Sequence, residues 1–267
     1  MDLGTSESVG RIVMLRFCSL GSGSRGNALL VEFRETLLMI DCGLSVKAIT
    51  DRMTLLDRHP DEISALLVTH EHSDHTKGVT HFTQRFGTQV WMTCGTAAAL
   101  GVDDLPTLQT FSYQEKLAFG KIGVQPYPVP HDAREPCQYV FTATDRRLGV
   151  ITDTGHVTPH ILDCLAGCDA LGIECNHDPE VLWQGQYPKA IKERITSQFG
   201  HLSNGQAADL LAGVKHEGLQ WVIALHLSQK NNSPDRVTES LKGFLGGPSQ
   251  KLHIASQDVP SPWLEIA

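Results

Sequence analysis

Apolar residues along the chain fall into short β-rich runs first and amphipathic, helix-spaced runs after them. The runs MLRFCSL (14–20), ALLVEF (28–33) and TLLMID (36–41) are separated by the turn signals GSGSRGN and RE, which predicts an opening β meander. Helical spacing follows over 45–57, then ISALLVT (63–69) as a buried strand, then TKGVTHFTQRFG (76–87) as a helix stopped by Gly87. Further strands are predicted at QVWMT (89–93), IGVQPYPV (122–129), QYVFTAT (138–144), RLGVITD (147–153), ALGIEC (170–175) and WVIALHL (221–227). Helices are predicted over 188–198, 203–214 and 234–245. Two β-rich halves, each followed by helices, give an α/β (α+β) fold of two stacked sheets with helices outside, a four-layer αββα sandwich. Residues 14–267 read as one domain and 1–13 as an unpatterned N-terminal extension, with no repeat, low-complexity tract or linker.

Composition narrows the classes. A hydrophobic content of 41% and a charged content of 19% suit a chain with a large core. The net charge of −8 argues against a basic coat for indiscriminate nucleic-acid binding, although bound divalent ions would add positive charge that this count omits. Seven cysteines, scattered and without a CxxC pair, predict buried free thiols in a reducing compartment rather than a disulfide framework or zinc ribbon. The first residues carry acids and lack a long apolar stretch, and no segment reaches the roughly 18 apolar residues of a membrane span. The expectation is a cytoplasmic protein with no membrane partner.

The chemistry concentrates at LLVTHEHSDHTKGV (66–79), where His70, His72, Asp74 and His75 follow an apolar run. His70 and His72 alternate along extended backbone and so share a side, while Asp74 and His75 follow as the chain turns into a helix. Imidazoles and carboxylates are the donors a divalent ion takes at about 2.0–2.2 Å. The plain alternative is a histidine-rich surface loop. Three more donors sit at predicted strand ends: His131 in PYPVPHDAREP, Asp153 in GVITDTG and His226 in VIALHLS. Singly they read as a turn histidine, a cap and a core histidine. Together they complete a set for two ions, His70, His72 and His131 holding one, Asp74, His75 and His226 the other, and Asp153 bridging them at roughly 3.5–4 Å separation. The histidine-rich set favours Zn2+, and its mixed nitrogen and oxygen donors also accept Mn2+.

The order T-H-x-H-x-D-H, lone His, Asp, lone His resembles the metallo-β-lactamase fold superfamily, which implies the αββα sandwich and metal-dependent hydrolysis without fixing the substrate. Beyond the ligands, LGIECNHD (171–178) and FGHLSNGQAADLLAGV (199–214) resemble the transfer-RNA 3′-end endonucleases of that superfamily. There a strand-end glutamate orients a histidine that acts on the phosphate, and Glu174 and His201 fall on those positions. The plain alternative for His201 is a helix-start residue beside Ser203. The blocks GSGSRGNALLVE, IDCGLS, VTHEHSDHTKG, HDAREP, ITDTG, ECNHD, GHLSN and HLSQKNN together resemble the YycJ family, also called WalJ or VicX. That resemblance implies a 5′ to 3′ DNA exonuclease tied to DNA repair, with Asp74, Glu174 and His201 as the catalytic set. No inserted β-CASP domain and no transfer-RNA-gripping arm are evident, which disfavours transfer-RNA processing.

Around this set, Ser24, Asn27, His177, Ser228 and Asn231 are candidate substrate contacts. Each has a plainer reading: a tight hairpin for GSGSRGN, where Arg25 also sits, a loop cap for His177, and a turn for Asn231 and Asn232. Lys189, Lys192 and Arg194, three to four residues apart, predict a cationic helix face that would suit a strand backbone, or a solvated one. The leading reading is a dinuclear metal phosphodiesterase acting on nucleic acid, DNA before RNA. The alternatives are a thioester or lactone hydrolase of the same fold and a non-catalytic metal-binding regulator. Oligomeric state is not encoded in any pattern found.

Overall fold

The computed structural model describes residues 14–245 and 250–267. The predicted extension over 1–13 lies outside them. In chain order the elements are β1 (Leu15–Gly21), β2 (Ala28–Phe33), β3 (Thr36–Ile40), α1 (Val46–Thr54), β4 (Ile63–Leu67), α2 (Ser73–Thr76), α3 (Val79–Phe86), β5 (Val90–Thr93), α4 (Cys94–Leu100), β6 (Leu108–Phe111), β7 (Leu117–Phe119), β8 (Ile122–Pro128), β9 (Cys137–Ala143), β10 (Arg146–Ile151), α5 (Pro159–Leu165), β11 (Ala170–Glu174), α6 (Pro179–Gln184), α7 (Lys189–Ile195), α8 (Asn204–Val214), β12 (Trp221–Leu225), α9 (Pro234–Leu241), β13 (Lys251–Ile254) and β14 (Leu264–Ile266).

The strands form two seven-stranded sheets, ordered β14-β1-β2-β3-β4-β5-β6 and β13-β12-β11-β10-β9-β8-β7. Each joins an antiparallel half to a parallel half, the change falling at β3 in one sheet and β10 in the other. The pleat sends alternate side chains to opposite faces. Phe17, Val31, Leu38 and Leu67 of the first sheet meet Tyr139, Phe141, Leu148 and Ile223 of the second in a core between the sheets. Their neighbours Cys18, Leu30, Met39 and Leu66 face outward under Ile49, Met53 and Phe82 of α1 and α3. On the other side Leu171, Ile173, Val222 and Ala224 lie beneath Ala207, Leu211 and Val237 of α8 and α9. The layers are therefore αββα, as expected. Strands buried on both faces read as continuous apolar runs, which is why their sequence signal is strong.

Several short elements carried no such signal. Helices α4, α5 and α6 and strands β6, β7, β13 and β14 were not foreseen, and β14 returns to the first sheet, pairing Ile266 with Leu15 and Leu264 with Phe17. The helix predicted over 76–87 begins only at Val79, as α3, and Lys77–Gly78 divides it from the short α2 over Ser73–Thr76. The division has a steric cause: Gly78 N–H donates to Cys42 O at 2.8 Å, and a Cβ on Gly78 would lie 2.4 Å from Leu44 O. Five of the seven cysteines are buried and all are free. No helix among the described residues is long and apolar enough to cross a membrane.

The segment after β3 locks α2 in place. Cys42 N–H donates to His75 O at 2.7 Å, Gly43 N–H to Asn27 O at 2.9 Å, and Asn27 N–H to Asp74 O at 2.8 Å. This close approach requires glycine at 43, since a Cβ there would sit 1.6 Å from Asp74 O. Gly43→Ala is expected to destabilise the protein by about 1–3 kcal/mol or more, the usual cost of forcing extra volume into a packed site. Thermal and urea unfolding measure it; an unchanged midpoint would show that the segment yields freely.

Candidate metal centre

The predicted donors converge at one end of the sandwich, beyond the carboxyl ends of parallel strands, where α/β sheets open their crevices. His70 follows β4, His72 caps α2, and Asp74 and His75 lie within it. Asp153 and His226 come just after β10 and β12, and His131 lies in the loop after β8. Asp41, Asp153 and His226 all have left-handed φ angles, 60°, 54° and 56°, three of the six non-glycine cases among the described residues. Such backbone is uncommon outside glycine and gathers at functional sites. Here it turns the strand ends sharply, so that side chains face the gap instead of the core.

Donor atoms form overlapping groups: His70, His72 and His131; Asp74, His75 and His226; and His70, His75 and Asp153, which joins the two. His72 Nδ1 lies 3.1 Å from His70 Nε2 and 3.3 Å from His131 Nε2. Their outer nitrogens fix the tautomers. Thr69 Oγ1 donates to Asp41 and so accepts from His70 Nδ1 at 2.9 Å, while His131 Nδ1 donates to Gly200 O at 3.1 Å. His75 Nδ1 donates to Asp41 Oδ2 at 2.7 Å and His226 Nδ1 to Glu174 Oε1 at 3.1 Å. The Nε2 lone pairs of His70 and His131 are thus left pointing inward. Lone pairs gathered within 3.1–3.3 Å repel unless a cation lies among them. The buried Asp153 Oδ2 also has no hydrogen-bond partner, as expected of an atom reserved for an ion. The residues present therefore fit divalent ions.

Electrostatics point the same way. Burial pushes the His70 imidazole well below its ordinary range, helped by its histidine neighbours, so it stays neutral. Burial also opposes charge on His75 and His226, but Asp153 outweighs it, with Asp41 beside His75 and with Asp74 and Glu174 beside His226. His75 rises well above its usual range and His226 to about 10. Burial would raise the acids, yet His226 and His75 hold Asp153 and Asp74 below the usual carboxylate range, and His201 and His226 do so for Glu174. Without ions, the negative charge of the cluster is met by protons on histidine; divalent cations meet the same need and displace them.

Glu174 Oε1 accepts from His201 Nδ1 at 2.8 Å as well as from His226, and its Oε2 accepts from the backbone N–H of Thr154 and Leu202. His201 is one-fifth exposed and lines a cavity of about 330 Å³ together with His72, Asp74, Asp153 and His226. Ser203 caps α8 in a capping box with Gln206, so the helix start is satisfied without His201.

The candidate substrate contacts divide. Ser24 and Ser228 line the cavity. Asn27 is buried and committed to protein: its Oδ1 accepts from Gly23 N–H and Ser22 Oγ, and its amide lies near Asp74 O and His75 Nε2. Asn231 is buried and donates to Ser228 Oγ. His177 is 2% exposed, burial pushes its imidazole down to about 4, and its backbone pairs with Asn204. None of these three borders the cavity. The cationic face predicted on α7 does not form. Lys192 is buried and donates at 2.7 Å to Trp183 O and Gly185 O, and Lys189 pairs with Glu193. Arg194 alone of the three reaches the cavity.

Sequence reasoning missed Asp41, Thr69 and Asn176, the last donating to His226 O at 3.1 Å. A signal for Asp41 existed, because LLMID closes an apolar strand with an acid as GVITD does at Asp153. Asp41→Asn is expected to weaken divalent-ion binding about 10- to 100-fold, the usual cost of losing a carboxylate behind a ligating histidine. Competition titration against a chromophoric chelator reads this directly, and wild-type affinity in the variant would remove Asp41 from the centre.

Comparison with known proteins agrees with this geometry. A family model described as "Beta-lactamase superfamily domain" matches residues 36–226. Exodeoxyribonuclease YycJ of Bacillus anthracis is 36% identical over 257 residues, covering 92% of this chain and 97% of that protein. Exodeoxyribonuclease WalJ of Streptococcus pneumoniae is 32% identical over 263 residues, covering 94% and 98%. In structure, the metallo-β-lactamase fold protein YhfI of Bacillus subtilis superposes with a TM-score of 0.72 at 14% identity, over 92% of this chain and 99% of its own. With its layers, its convergent histidines and carboxylates and these near full-length relatives, the chain belongs to the metallo-β-lactamase superfamily, in the family of the YycJ and WalJ proteins.

Proposed function

We propose that this protein is a two-metal phosphodiesterase that removes nucleotides from DNA, 5′ to 3′, in cytoplasmic DNA repair or maintenance. The observation that carries the reading is the Glu174–His201 pair, 2.8 Å apart, beside the donor cluster and open to its cavity. The names of the relatives, both exodeoxyribonucleases, support DNA over RNA.

Two divalent ions, Zn2+ by the histidine-rich donor set with Mn2+ as a substitute, would supply an activated water and neutralise charge on the phosphate. His70, His72 and His131 would hold one, and Asp74, His75 and His226 the other, with Asp153 shared. The chain's own residues do the rest. Glu174 accepts the Nδ1 proton of His201 and is itself fully buried, so the imidazole keeps a fixed orientation. Nε2 of His201 can then donate to a phosphate oxygen or to the departing oxygen, as a general acid does. Cleaving a phosphodiester expels an alkoxide, a poor leaving group that needs that proton; the thiolate expelled from a thioester needs it less. Ser24 and Ser228 offer hydroxyl contacts to the same cavity.

Metal analysis of the purified protein should find close to two divalent ions per chain, and Asp153→Ala should lose at least one together with activity. A fully active, metal-free protein would sink the reading. His201→Ala should keep both ions and slow cleavage of end-labelled single- or double-stranded DNA by about 10²- to 10⁴-fold. Unchanged turnover would return His201 to a helix-start role and favour acyl substrates, while loss through metal release would make it a ligand. Glu174→Gln should lower both turnover and ion retention, because the same oxygen holds His201 and His226.

A further inference from the structure

The chain leaves the centre at Glu174, runs through α6 and α7, and returns to it at His201. Two side chains of this excursion, Tyr187 and Arg194, line the same cavity as Asp153, His201 and His226. We propose that they form a single-nucleotide subsite, Tyr187 stacking on the terminal base of a single-stranded DNA end and Arg194 binding a phosphate outside the scissile bond. The inference rests on the phosphodiesterase reading and specifies the form of its substrate.

Arg194 is built for an anion. Its Nε donates to Asp132 Oδ2 at 2.6 Å, which fixes one edge of the guanidinium. The two terminal amino groups have no protein partner among the described residues, and the side chain is 59% exposed. A planar fork held by one edge and open at the other is the geometry that grips phosphate oxygens in pairs. Asp132 adjoins His131, so this fork is tethered one residue from the donor cluster.

Tyr187 is built for a flat partner. It is partly buried in the wall of the cavity, with Lys230 Nζ 5.3 Å from its ring centroid. The turn that carries it is held from beneath by Lys192, whose buried ammonium takes the carbonyls of Trp183 and Gly185 at 2.7 Å each. An aromatic ring on a braced turn presents its face at little entropic cost. Bases of single strands stack on such rings irrespective of sequence. The terminal base of a duplex must first give up its pair and its one stack to enter such a site, whereas a single-stranded end need not. The cavity, about 330 Å³, is at the small end of ligand sites and takes one nucleotide at a time. In a chain of net charge −8, Arg194 on the same cavity wall and Lys230 over that ring carry the sign a nucleotide needs.

Steady-state cleavage of a single-stranded oligonucleotide by the metal-loaded full chain tests the subsite. Tyr187→Ala should raise KM about 10- to 100-fold with a smaller change in kcat, the usual worth of one stacked base. Tyr187→Phe should restore it, since the ring is kept. An oligonucleotide with an abasic terminal residue should cost the wild-type protein as much as Tyr187→Ala costs on the normal strand, and should add nothing in the variant. Arg194→Ala should raise KM and flatten its dependence on salt by about one phosphate contact. Wild-type KM in Tyr187→Ala, or an abasic penalty undiminished in it, would overturn the proposal. So would wild-type protein that handles the abasic end as well as the normal one, a result that needs no variant to fold. Wild-type protein that degrades no oligonucleotide with Zn2+ or Mn2+ would overturn the phosphodiesterase reading, and this inference with it.

Discussion

Asp41, Asp74, Asp153 and Glu174 lie with five histidines in a mostly buried space at the mouth between two sheets, and the rest of the site follows from how that charge is met. Burial alone would raise Asp74, Asp153 and Glu174, yet neighbouring histidines hold all three low. Concentrating charge this way is costly in a medium of low polarity unless opposite charge stands close. Divalent cations supply it in compact form. The superfamily's metal centre is in this sense the solution to an electrostatic problem set by the strand ends.

Glu174 connects that centre to the chemistry. One of its oxygens serves His226 and His201 together, and the other is pinned by two backbone N–H groups. His226 and His201 are therefore positioned by one carboxylate with no freedom to serve them independently. The left-handed turns at Asp41, Asp153 and His226 supply the matching rigidity in the backbone. The superfamily frame carries many hydrolytic reactions. Outside the donor set, the excursion from Glu174 to His201 brings Tyr187 and Arg194 to the cavity.

By itself the sequence determined the layered architecture, because strands buried on both faces are apolar throughout and chain direction alternates with helices. It also determined the order of donors, since a strand end is marked locally by the stop of an apolar run and a histidine or acid just past it. Glu174 and His201 were legible through the resemblance of LGIECNHD and FGHLSNGQAADLLAGV to the transfer-RNA 3′-end endonucleases of the superfamily. What lay beyond it were relations between distant residues. That Asp41 holds His75, that Asn27 clamps Asp74, that β14 closes on β1, and that Lys192 braces a turn while Arg194, about half a turn away, reaches the cavity, all depend on pairings with no periodic signature. Hydrophobic period reports which face of an element is covered, and not which polar group from another element completes a hydrogen bond. Only the folded chain brings those groups within 3 Å, and there their burial, more than their identity, decides what each does.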